Sequence, residues 1–268
     1  MAQPTVLYTV EDKVAIITLN RPEKMNALNH EMWVQIDESF VKADEDPEIR
    51  AIALVGEGRA FSTGADLNPG QDPTEILPWM AGYEKHNRRQ FRMWDSGKTI
   101  VCGIHGYAIG RGLELALWCD IVVAAEETKL GQSEVREGWI VHSVVPWLTN
   151  PQSAKLFMMS GDLIGAREAE RMGLVARVVE TGKAREEAIK LAKRLTHVPP
   201  ITARAVKQMI NGVYEQLGFR GQQLSGVGMN AAISSLTPEE KGTQELVRIR
   251  NEQGLKASLK FRDAPFEK

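Results

Sequence analysis

Cysteine is scarce: the 268-residue chain has two, Cys102 and Cys119, both in apolar surroundings. Neither sits in a CxxC or Cys/His spacing, so zinc is not indicated and buried thiols in a reducing compartment are expected. An excess of one charge sign is also missing. Lys and Arg total 33 against 35 Asp and Glu, a formal net charge of -2, which excludes a global basic field for nucleic acid and the strong acidity of a disordered chain. Any anionic ligand must therefore be held by local groups. No stretch approaches the ~20 apolar residues of a membrane span. The opening MAQPTVLYTVEDKVAIITLN lacks a basic stretch followed by an apolar run, so a cytoplasmic protein is expected. His30, His86, His105 and His197 are scattered without ligand spacing, so no metal site is expected. There is no low-complexity segment and no repeat of fixed period.

With 43% hydrophobic and 25% charged positions, the chain can bury a sizeable core, and one domain with an appended tail is the preferred organisation. Short β-branched runs at 14–19 (VAIITL), 51–55 (AIALV), 100–104 (IVCGI), 121–125 (IVVAA) and 175–179 (VARVV) read as buried strands. Between them, 29–43, 84–94, 113–118, 153–159 and 166–172 read as helices. That alternation predicts an α/β fold. From Lys183 onward strand patterns stop and helical patterns with Pro and Gly breaks take over. The expected division is 1–182 for the core and 183–268 for a helical region that covers the core or packs on a neighbouring subunit.

Three segments carry chemistry. In GEGRAFSTGADL (56–67) a strand runs into glycines and small residues, so backbone N–H groups can approach a ligand closely; a plain surface turn is the alternative. In GYAIGRGLELALWCD (106–120) glycines precede an apolar helix whose first turn exposes N–H groups suited to a developing oxyanion. Glu114 lies in that turn, either complementing the helix dipole or, flanked by Leu113, Leu115, Ala116 and Leu117, partly desolvated with a raised pKa. In LGQSEVREG (130–138) Glu134 follows a Gly-Gln-Ser turn; alone it reads equally as a solvated loop, and its pairing with Glu114 raises its weight.

These segments in this order resemble the enoyl-CoA hydratase/isomerase (crotonase) superfamily, as do RPEKMNALN (21–29), CDIVVAAEET (119–128), SGDLIGAREAERMGLVARVV (160–179) and KFRDAPFEK at the end. The resemblance covers nearly the whole chain. It implies a crotonase-like spiral of ββα turns with a helical C-terminal tail, assembled as a homotrimer or homohexamer. It also implies an acyl-CoA substrate and no cofactor beyond the coenzyme A carried by that substrate. By resemblance, the backbone N–H groups of Ala65 and Arg111 form the oxyanion hole, with Asp66 and Leu67 lining the thioester site. Glu114 holds and deprotonates water, and Glu134 exchanges a proton with the α-carbon. Lys24, Met25 and Ala27 touch the coenzyme A moiety, and Lys260 and Arg262 reach toward its phosphates or are plain surface charges.

Two departures bear on the reaction. The usual run of three glycines is here Gly110-Arg111-Gly112, which keeps the N–H but gives it a side chain that either lines the coenzyme A entrance or pairs with a carboxylate such as Glu137. The Pro- and Gly-rich segment after the second glutamate is replaced by GWIVHSVVPWLTNPQ (138–152), making Trp139, His142, Ser143 and Trp147 candidates for the acyl-pocket wall. Trp79, Met93 and Trp94 fall where the family has a mobile lid, and core packing is the alternative. The expected reaction is reversible hydration of a 2-enoyl-CoA. Double-bond isomerisation, thioester hydrolysis and acyl-CoA binding without catalysis remain open at this level.

Overall fold

The computed structural model describes residues 4–66, 76–139 and 144–267, with the backbone alone at 76–80 and Pro238. Leu67, His142, Ser143 and the side chain of Trp79 lie outside the described residues. The strands are β1 (Val6–Glu11), β2 (Val14–Leu19), β3 (Ala51–Gly56), β4 (Thr99–Ile104), β5 (Tyr107–Ile109), β6 (Ile121–Ala125), β7 (Lys129–Gly131), β8 (Ile164–Gly165) and β9 (Arg177–Val179). The helices are α1 (His30–Glu45), α2 (Ile76–Asp95), α3 (Arg111–Leu117), α4 (Val145–Leu148), α5 (Pro151–Ser160) and α6 (Ala166–Met172), then α7 (Ala184–Leu195), α8 (Pro200–Gln216), α9 (Phe219–Leu236), α10 (Lys241–Gln253) and α11 (Leu255–Asp263).

The main sheet runs β1-β2-β3-β4-β6-β9. Only the β1–β2 hairpin is antiparallel, turned by Asp12 and Lys13 at positive φ, and every later pairing is parallel. A second, small sheet, β5-β7-β8, stands beside it. Strand, short strand and helix thus repeat along the chain, which is the α/β spiral expected from the sequence.

Both faces of the main sheet are covered, which is why its strands read as unbroken apolar runs. Ile17, Ile52, Leu54, Ile100 and Cys102 point into the large core with Met32, Ile36 and Phe40 of α1 and Leu113 of α3. The alternate residues Val14, Ile16, Ala53 and Val101 meet Ala188 and Ala192 of α7. Gly103 sets how close α7 comes: a Cβ there would lie 2.6 Å from the Ala184 carbonyl oxygen. The helical region beyond residue 183 therefore begins by closing the sheet's second face. Its next helix, α8, is pinned by buried Lys207, whose Nζ donates to the Met93 and Lys98 carbonyls at 2.9 and 3.2 Å and pairs with Asp120 at 2.9 Å.

α9 lies along α2, with Tyr83 and Ser234 hydroxyls 2.9 Å apart and the Asn87 amide donating to the Gln223 carbonyl at 3.0 Å. Met93 is buried in the core, and Trp94 stacks on Phe219 with ring centroids 4.4 Å apart. For these two residues the packing alternative holds. Trp147 sets its ring edge-on to Phe219 and donates to Gln222 at 3.1 Å. Among the described residues, no helix is long and apolar enough to cross a membrane.

Candidate active site

Loops following the parallel strands β3, β4 and β6 leave the sheet at one end, the end where open parallel sheets place their ligands. The loop after β3 is laced to its neighbours by backbone bonds. Ser62 N–H donates to Tyr107 O (3.0 Å) and Ile109 N–H to Ser62 O (3.0 Å). On its other side Leu28 and Ala65 form a parallel bridge, with Leu28 N–H donating to Gly64 O (2.7 Å) and Asp66 N–H to Leu28 O (3.1 Å). Alternation along an extended strand then turns the Ala65 N–H the opposite way, and it takes no hydrogen-bond partner among the described residues. Gly64 packs tightly against the next loop: a Cβ there would come 2.8 Å from Ile109 O and 3.5 Å from Arg111 N. The Arg111 N–H, first in α3, also takes no partner among the described residues. The two expected oxyanion donors thus belong to adjoining backbone segments.

Gly110 makes this junction possible. Its φ of 52° and ψ of -122° suit glycine alone. Its N–H donates to Gly131 O (2.8 Å) and its carbonyl accepts from Glu114 N–H (2.9 Å), locking β7 and α3 to the same residue. A Cβ at this position would overlap the Glu134 carboxylate, which rests directly against the Gly110 backbone. Glu134 is carried by a 3-10 turn, Ser133–Glu137, ended by Gly138 at φ 79°. The residue is only part-buried, but its Oε2 is enclosed without a hydrogen-bond partner among the described residues. Burial pushes the carboxyl up to about 7; its own backbone N–H, Arg111 and Arg262 pull against the rise, and Glu137 adds to it.

Glu114 is fully buried, and its Oε1 accepts from Gln132 Nε2 at 2.7 Å. Gln132 therefore reaches from the segment that bears Glu134 to the other glutamate, and the Glu134 carboxylate lies against Gly110, the residue before α3. An ionisable group with no exposure is costly to bury, which makes Glu114 at the root of a glycine turn a functional-site candidate.

The loop bearing Lys24, Met25 and Ala27 is stitched to the first donor loop. Thr63 N–H donates to Met25 O (3.1 Å) and Ser62 hydroxyl to Asn26 O (2.8 Å). Buried Asn26, in left-handed conformation, donates to the Glu57 and Ala60 carbonyls at 2.9 and 2.8 Å. Lys24 is exposed, and the Ala27 carbonyl accepts from Arg21 at 3.0 Å. The same Arg21 holds Asp66 at 2.6 Å, so the Asp66 carboxylate braces the loop. Trp139 is part-buried just past Gly138, its N–H donating to Glu134 O at 3.0 Å.

A comparison with known sequences matches the profile described as enoyl-CoA hydratase/isomerase over residues 9–247. The chain belongs to the enoyl-CoA hydratase/isomerase family. It is 34% identical over 211 residues to an (E)-benzylidenesuccinyl-CoA hydratase of Thauera aromatica, covering 76% of this chain and 80% of that protein. Its fold matches an enoyl-CoA hydratase/isomerase structure from Xanthobacter autotrophicus Py2 at a TM-score of 0.92 and 29% identity, over 98% and 99% of the two chains. An enoyl-CoA hydratase structure from Mycobacterium smegmatis, at 24% identity, shares the fold with a TM-score of 0.88 over 97% and 94% of the chains. The protein is accordingly an acyl-CoA-processing enzyme of the enoyl-CoA hydratase type.

Against the family pattern, two expectations change. Arg111 does not pair with Glu137. Its guanidinium lies over the Tyr83 ring of α2, 5.3 Å from the centroid, because Glu137 is already held by Arg250 at 2.9 Å and Arg262 at 2.7 Å. Arg262 is thereby an ion-paired, largely enclosed side chain and not a plain surface charge, while Lys260 is exposed. Sequence reasoning passed over Gln132 and Asn26. Gln132 lay inside a quoted motif, and a polar residue two positions before Glu134 was its only signal. Asn26 could have been found as the residue type that tolerates a left-handed turn.

Proposed function

We propose that the enzyme adds water reversibly across the conjugated double bond of a 2-enoyl-CoA. The observation that carries this reading is that buried Glu114, tied to the Glu134-bearing segment by Gln132, and the Glu134 carboxyl against Gly110 lie beside two backbone donors that take no partner among the described residues. The Ala65 and Arg111 N–H groups would hold the thioester oxygen and strengthen as it becomes an enolate oxygen. Glu114, oriented by Gln132, takes a proton from water as the water oxygen bonds to the β-carbon. Glu134 gives its proton to the α-carbon. Both proton transfers are carried by glutamates, and the addition of water is redox-neutral, with the C–O and C–H bonds formed as the π bond breaks, so the reaction calls for no redox group. Lys24, Met25 and Ala27 border the coenzyme A end, and Trp139 borders the acyl end.

The test is loss of enoyl-thioester absorbance with crotonyl-CoA and a longer 2-enoyl-CoA, followed across pH. Hydration needs Glu134 protonated. With its carboxyl near 7, the hydration rate falls as pH rises through about 7. Dehydration of the 3-hydroxyacyl product needs it ionised and falls as pH drops through the same value. Absence of hydration by protein that binds acyl-CoA would overturn the reading in favour of isomerase, hydrolase or binding roles.

The working form is proposed to be a homotrimer or homohexamer. Val206, Ile210 and Val213 of α8, with Leu217 at its C-cap, form an exposed apolar stripe, 45–69% accessible in this single chain, which supports self-association. Sedimentation equilibrium should return three or six chain masses; a monomer at micromolar concentration would contradict it. Cytoplasmic location is proposed with it, supported by the buried, unbridged Cys102 and Cys119.

A further inference from the structure

The turn that bears Glu134 is bolted to the C-terminal helices from both of its sides. Glu137, three residues on, presents Oε2 to Arg250 of α10 (2.9 Å) and Oε1 to Arg262 of α11 (2.7 Å), and only 9% of its side chain is accessible. Arg136, 10% accessible, donates to the Ser160 carbonyl (2.9 Å), pairs with Asp162 (2.5 Å) and Asp263 (3.1 Å), and lies 4.0 Å from the Phe266 ring centroid. The Thr237 hydroxyl donates to Gly138 O at 2.6 Å. Among the described residues the Glu134 carboxyl has no such anchor from outside its turn: its own backbone N–H bonds it, it rests on Gly110, and Oε2 has no hydrogen-bond partner. Its placement is therefore inherited from the turn.

We propose that Glu137, gripped by Arg250 and Arg262, is a positioning residue through which α10 and α11 hold the Glu134 carboxyl in register against Gly110. The proposal rests on the hydratase reading for the role of Glu134, but the grip itself is independent of the reaction. The same ion pair sets the local field. The charged groups facing Glu134 are Arg111 from α3, Arg262 from α11 and Glu137 from its own turn; the two arginines favour the carboxylate and Glu137 opposes it. Removing either end of the Glu137–Arg262 pair must then move Glu134 in opposite directions. The titration reads this field, while kcat at an unchanged melting temperature reads the placement.

The experiment compares Arg262→Met, Arg262→Lys and Glu137→Gln with the parent and with Glu134→Gln, in the full-length protein. Turnover of crotonyl-CoA, melting temperature and the titration of carboxyl-13C glutamate are measured, the Glu134 signal being the one missing from Glu134→Gln. Arg262→Met is expected to lower kcat at least tenfold with KM within twofold, and Arg262→Lys to recover most of it. The Glu134 titration should move to higher pH in Arg262→Met and to lower pH in Glu137→Gln. Unchanged kcat with an unmoved titration, or shifts of the same sign in both variants, would overturn the proposal. If the parent hydrates nothing, the hydratase reading fails while the titration still decides the grip. If Arg262→Met does not fold, Arg262→Lys and Glu137→Gln decide it by the same readouts.

Discussion

Replacing Glu114 with Gln is expected to lower kcat for hydration by about a hundred to ten-thousandfold, the usual worth of one general acid or base, while KM changes little and the melting temperature holds or rises. The change keeps the shape of a side chain with no solvent exposure and keeps an oxygen for the 2.7 Å bond from Gln132. It removes only the capacity to take a proton, together with the desolvation cost of a buried carboxylate. Stability and activity should therefore part company, as they do where a charged group is retained for chemistry at the expense of the fold. Stopped-flow or steady-state absorbance gives the rates, and calorimetry gives the melting point. A variant that melts far lower and no longer binds acyl-CoA would show that Glu114 is structural. One that hydrates at the parent rate would remove it from the mechanism.

The main sheet was legible because burial on both faces leaves its strands no polar side, so VAIITL, AIALV, IVCGI and IVVAA stand out as continuous apolar runs. The small sheet was not. β5, β7 and β8 hold three, three and two residues, too few for a period of two to repeat, and they pair with one another while the loops around Ser62 and Gly106 add bonds to β5 and β7. β1 was hidden for another reason: it is an edge strand, half of it exposed, and its pattern resembles a polar loop.

The site divides along the same line. Glu114 announced itself by its apolar flanks, and the glycine turns by composition. Nothing local could show that Glu137 meets Arg250 and Arg262, 113 and 125 positions away, because ion-pair partners at such separations are chosen by topology and not by spacing. Of the two places expected for the Arg111 side chain, the pairing with Glu137 failed for that reason: a charge opposite Glu137 was foreseen, and the wrong arginine was assigned to it.

Gly110→Ala should be the most damaging change that leaves every ionisable group in place. The residue's φ of 52° and ψ of -122° lie where a Cβ is strained, at a cost of roughly 1–3 kcal/mol, which denaturant unfolding would record. The larger effect is kinetic. The new methyl group would occupy space held by the Glu134 carboxylate, so either that carboxylate swings away or the start of α3 retreats and takes the Arg111 N–H with it. Displacement of a reacting group by about 1 Å costs on the order of a hundredfold in rate. The two routes are separable by repeating the substitution in a Glu134→Gln background. If the damage passes through Glu134, Gly110→Ala adds little to the loss already present there, and the two effects are far from additive. If the same hundredfold is lost in both backgrounds, the oxyanion donor has moved instead, and the contact between Gly110 and Glu134 is packing without mechanistic weight.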